Sequence, residues 1–165
     1  MHNLILVVIS IALMAAVAAA GINHIPADAY MRQIMLTQAD TGIQSLKGTV
    51  ERYLNANRDV NGDIVYPGAN IDLEPTLAPA YGFIPSDIRS ELTFDVKTGS
   101  VYGLNAVGIC VRPVSQATED QRKVLDALQS RLPVGASFIG SGCNATTNAT
   151  GGDSLTYWVV LDHLN

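Results

Sequence analysis

The chain has 165 residues, with 10 Lys and Arg against 15 Asp and Glu, a formal net charge of -5 and a sequence pI of about 4.9. Its basic residues are scattered, so no face is set up to displace phosphate counterions or to lie on anionic lipid, and nucleic acid is excluded as a partner. Setting aside the apolar start leaves about 140 residues, one domain of ordinary size that can bury a core without a metal staple.

The first element is the uncharged run LILVVISIALMAAVAAAGI, Leu4 to Ile22. As a helix it would rise about 28 Å, close to one hydrocarbon thickness. Its second half is rich in alanine, and Ala12, Ala15, Ala16 and Ala19 would let another helix approach closely. Two readings compete. Ala18 and Ala20 fit an A-x-A cleavage site with Gly21 as the new start, which would make the run a secretory signal. The head, Met1-His2-Asn3, lacks the Lys or Arg that such a signal carries, and this favours retention as an anchor.

After Pro26 the chain reads as an amphipathic helix from Ala27 to about Asn57. Ile43, Leu46, Val50, Tyr53 and Leu54 recur at three- and four-residue steps and share one face, while Gly42 weakens the middle. From Asn55 to Asp87, repeated prolines and glycines predict a long irregular connection with short strands, a kind of segment that often carries interactions. Within it Asn57, Asp59, Asn61 and Asp63 alternate, with Gly62 in the sixth place, partly matching a calcium loop. The first ligand is Asn rather than Asp, and Gly68 stands where a bidentate Glu is needed, so the stretch reads first as a solvated turn.

The signals then turn to β. Glu91–Val96 alternates, Lys97–Ser100 reads as a turn, and Val101–Pro113 reads as one or two strands broken near Gly108. Thr118 and Gln121 form a capping box for a helix whose apolar face is Val124, Leu125, Leu128 and Leu132, with Pro133 as the stop. Ala136–Ile139 is a short strand, Cys143–Asp153 a small-residue loop and Ser154–Leu161 the best strand of the chain. The class is α+β: a long N-terminal helix, apolar in its first half, packed on a small antiparallel sheet with one further short helix. Residues 1–25 form the apolar segment, and 26–165 form an extracytoplasmic domain that includes the amphipathic helix 27–57.

Little here points to catalysis. His2, His24 and His163 are far apart, and neither an HExxH nor a GxSxG pattern occurs. No cofactor is expected. The two cysteines, Cys110 and Cys143, have no metal-ligand spacing and behind an export segment read most simply as one disulfide, stabilising by roughly 3–4 kcal/mol. Asn144-Ala145-Thr146 and Asn148-Ala149-Thr150 match glycosylation sequons but read as loop composition.

This order of parts resembles type IV pilins and pilin-like proteins, particularly the type IVb group. There an apolar N-terminal helix sits in the inner membrane and later in the filament core. It continues, often through a proline kink, into an amphipathic half lying on an antiparallel sheet, and a disulfide staples the C-terminal part. Met1–Ala20, Pro26, Ala27–Asn57, the strands from Glu91 and the Cys110/Cys143 pair fall in that sequence. Pilins usually carry a glutamate near the start of the apolar segment, and Met1–Leu6 has no acid. The resemblance therefore implies a minor pilin-like subunit, or a small inner-membrane protein similar in layout to the PilM proteins of thin-pilus systems. It implies other copies or other pilin-like subunits as partners, an inner-membrane or cell-surface location, and no enzymatic activity. The alternative is an anchored or secreted periplasmic binding module that uses the 55–87 connection.

Overall fold

The computed structural model describes Met14, residues 27–85 and residues 91–161. The close-packing alanines Ala12, Ala15, Ala16 and Ala19 and all three histidines lie outside the described residues. Among the described residues no helix is long and apolar enough to cross a membrane.

Helix α1 spans Ala27–Ala56, 30 residues, or about 45 Å of rise. All five residues expected on one face are buried, and Met35, Leu36 and Ala39 extend that face toward the N-terminus. A short helix, α2, follows at Glu74–Leu77. Strands β1 (Leu92–Val101) and β2 (Leu104–Pro113), helix α3 (Glu119–Gln129), and strands β3 (Ser137–Gly140) and β4 (Ser154–Val160) complete the order. The fold is α+β. Four antiparallel strands lie in the order β1-β2-β4-β3, with the long helix and α3 on one face.

Alternation along each strand decides which side chains meet the helices. Leu92, Phe94 and Val96 of β1, Val107, Ile109 and Val111 of β2, and Leu155, Tyr157 and Val159 of β4 form the main core with the α1 face and with Val124, Leu125 and Leu128 of α3. Helix α3 runs alongside α1 in the same direction: Arg32 pairs with Asp120 at 3.6 Å and Arg131 with Asp40 at 3.3 Å. Its N-terminus is the expected capping box. The Gln121 N–H donates to Thr118 Oγ1 at 3.2 Å, and the Thr118 N–H donates to Gln121 Oε1 at 2.9 Å.

Three sequence readings are corrected. Lys97–Ser100 is not a turn: β1 runs through it to Val101, and the reversal is the two-residue turn Tyr102-Gly103, both with positive φ (54° and 79°). Turns of that kind match the natural strand twist, and the tyrosine masked the signal usually carried by Asn-Gly. Strand β2 is unbroken at Gly108. Gly42 is also more than a weak point, because a Cβ there would come within 2.2 Å of the Phe94 ring, which lies directly against the helix backbone.

The connection after α1 is anchored rather than loose. Its residues 70–74 lie along the outer edge of β1: the Asn70 N–H donates to Thr98 O, the Thr98 N–H to Ile71 O and the Leu73 N–H to Val96 O, at 3.0, 2.9 and 2.9 Å. The outer edge of β3 is covered too. The Ile139 N–H donates to Asn148 Oδ1 at 2.9 Å and Ile139 O accepts from the Ala149 N–H at 2.8 Å. The outer edges of β1 at Val96–Thr98 and of β3 at Ile139 are therefore blocked against strand addition.

Candidate functional site

Two regions stand out above the general fold: the first turns of α1, and the sheet face turned away from the helices. On α1, Met35 is the first fully buried side chain among the described residues. From Asp28 to Ile34 every residue is exposed or half-buried, and Tyr30 is 62% exposed. A shallow groove runs beside this stretch, between Ala29, Arg32 and Leu36 of α1 and Lys123, Val124 and Ala127 of α3. The first turns of α1 thus touch the domain only along the flank of α3, through the Arg32–Asp120 pair and this groove, and bury no side chain fully.

The far face of the sheet is built around the one tryptophan. Trp158 pairs in register with Gly108, and its ring also overlies Gly99. A Cβ on Gly99 would come within 2.6 Å of the indole, and one on Gly108 within 3.0 Å, so only glycine lets the ring lie flat on the strands. Trp158 Nε1 donates to Ala145 O at 2.7 Å, which holds the loop after β3 down on this face. Val101, Ala106 and Phe138 complete a small second core there.

The expected disulfide Cys110–Cys143 is formed, with Cα atoms 5.2 Å apart, inside the usual range. It joins the middle of β2 to the same loop. Cys110 is buried and Cys143 half-buried. Asp95, opposite Cys110 on β1, pairs with Arg112 and brings Oδ2 to 3.4 Å from Cys143 Sγ. The oxidised sulfur has no proton to donate, so this is a close contact and not a hydrogen bond. Next to Cys110 in register, Thr156 Oγ1 is fully buried without a hydrogen-bond partner among the described residues. A cleft of about 480 Å³ opens beside Cys143, between Asn70, Asp72, Lys97, Asn144 and Trp158.

The calcium-loop residues form a self-bonded turn. Asn57 Nδ2 donates to Tyr53 O at 2.8 Å, which turns its amide back onto α1. Asp59 Oδ1 accepts the N–H groups of Asn61 and Asp63 at 2.8 and 2.9 Å. These bonds, the one from Asp63 foremost, hold the Asp59 carboxyl below its ordinary pKa.

The other displaced titrations have local causes. Burial, then the neighbouring Tyr81, pushes the Tyr53 phenol up. Burial first, then Asp72 and Asp95, raises Glu74, whose Oε1 accepts the Val96 N–H at 3.3 Å on the β1 edge. Glu119 is lowered by its bond to Lys123. Each belongs to a separate element, and they do not assemble a proton-transfer site among the described residues.

Sequence reasoning found the disulfide but missed the Trp158 platform. The available signal was a lone tryptophan in the last strand together with two glycines inside apolar strands. No protein-family model, curated protein or solved structure matches this chain.

Proposed function

We propose that the chain is a non-enzymatic structural subunit of a bacterial type IV pilus or related secretion apparatus, anchored and assembled through its N-terminal apolar segment. The observation that carries this reading is the lopsided burial of α1: from Met35 onward one face is sealed in the core, while Asp28–Ile34 buries no side chain fully and touches the domain only beside α3. The segments that cover the edges of β1 at Val96–Thr98 and of β3 at Ile139 support it, because they hinder strand pairing there and favour assembly through helices. In this reading Ala12, Ala15, Ala16 and Ala19 form the close-packing stripe, other copies or other pilin-like subunits are the partners, and the domain lies outside the cytoplasm, where the disulfide persists.

The test is assembly. Ala15→Glu and Ala19→Glu place a charge in an apolar interface, and both should abolish recovery of the protein in sheared filament or apparatus fractions while the purified domain keeps its fold. Normal incorporation of both variants would overturn the reading.

A second reading, an anchored or secreted periplasmic binding module, is supported by one observation. The connection after α1 exposes Val60, Val65 and Phe83 at 101, 51 and 71%. A soluble, monomeric mature protein that begins at Gly21 would favour it.

A further inference from the structure

We propose that the Cys110–Cys143 disulfide is a guarded bond, with Asp95 positioned to repel the thiolates that would reduce it. Reduction starts when a thiolate attacks one of the two sulfurs along the S–S axis. Cys110 is 1% exposed, packed within β2 under its neighbours, so attack is confined to Cys143, the half-buried partner that lines the cleft. The new bond forms between the attacking sulfur and Cys143 Sγ, the Cys110–Cys143 bond breaks, and Cys110 departs as a thiolate. A second thiolate then attacks the mixed disulfide, releasing Cys143 as a thiolate and the reductant as its own disulfide. The structure opposes the first exchange in two ways. The departing Cys110 charge would form in a buried site, which makes it a poor leaving group. The attacking anion must approach a sulfur that has a carboxylate oxygen 3.4 Å away.

The charges around the sulfur decide how strong the guard is. Asp95 is paired with Arg112, whose guanidinium would draw a thiolate in. Asp72 and Lys97 face the same cleft, and Glu74 stands near enough to Asp95 for the two to interact. The acids outnumber the bases, and the acid closest to the sulfur is Asp95. Removing it subtracts a repulsive charge and leaves Arg112 without this partner, so both changes favour anionic attack. Removing Arg112 works in the opposite direction.

The experiment uses the full-length oxidised protein and three monothiols of similar size: 2-mercaptoethanesulfonate, 2-mercaptoethanol and cysteamine. Release of protein thiols and the fluorescence of Trp158 are followed together, and rates are compared per thiolate present. The wild-type protein should react fastest with cysteamine and slowest with the sulfonate. Asp95→Asn should raise the sulfonate-to-cysteamine rate ratio about fivefold, Arg112→Gln should lower it, and high salt should flatten the wild-type preference. A loosened fold would speed all three thiols alike, so a ratio unchanged in Asp95→Asn overturns the proposal. If that variant does not oxidise, the Arg112→Gln shift and the wild-type salt dependence decide it: absence of both overturns it.

Discussion

The two faces of the sheet are covered by different means. The helix side is a broad, mainly aliphatic contact in which α1 and α3 spread burial over many side chains. The far side depends on very few groups. One indole lies on two glycines, one hydrogen bond runs from that indole to the loop, and one disulfide ties the loop to β2. The first arrangement tolerates variation in shape at the cost of stability. The second fixes a segment that has little apolar surface of its own, and it should fail all at once.

Substitution of the key residue on each side separates the two designs. Trp158→Ala should cost about 3–5 kcal/mol and, beyond the global loss, should open the loop at residues 141–153 to proteolysis and hydrogen exchange under native conditions. Leu46→Ala, in the middle of the buried α1 face, should cost about 2–5 kcal/mol with the loop as protected as before relative to global unfolding. Equal loop exposure in the two variants would erase the distinction. A smaller effect, about 1–3 kcal/mol, is expected for Gly99→Ala, because the new methyl must push the indole off the strands; denaturant unfolding and the near-ultraviolet signal of Trp158 would report it. Thr156→Val should be neutral or stabilising by up to about 1 kcal/mol, since it replaces a buried hydroxyl that has no partner among the described residues with a methyl of the same shape.

The smallest expected effect is at the β1 edge. Glu74 is raised in the folded protein, mainly by burial, so the folded state holds that proton more tightly than the unfolded chain does. Its contribution is most favourable below the ordinary glutamate range and is lost as pH rises through the raised value. Glu74→Gln keeps an oxygen to accept the Val96 N–H and should therefore stabilise modestly at neutral pH and not in acid, measured by thermal unfolding at both.

Periodicity made the helices and the main core legible. The α1 face from Ile43 to Leu54, the Thr118–Gln121 capping box and the Val124–Leu128 face follow from spacing alone. What the chain did not disclose depends on partners distant in sequence. Gly99 and Gly108 look like punctuation until Trp158 is placed over them, and this is why a turn was expected at 97–100 and a break at 108. Gly42 looks like a helix weakness until Phe94 is seen against it. The 70–74 segment looks irregular because its hydrogen bonds serve one strand edge without forming a regular strand of their own. Asp95 beside the disulfide has no local signature at all, since its neighbour is 48 residues away.

Assembly through the apolar segment requires that this segment stay attached to the domain, and one measurement addresses this directly: the intact mass and N-terminal residue of the mature protein taken from its native cells. Leu4–Ile22 should be retained, with the protein in a membrane or filament fraction. A soluble, monomeric protein beginning at Gly21 would contradict this.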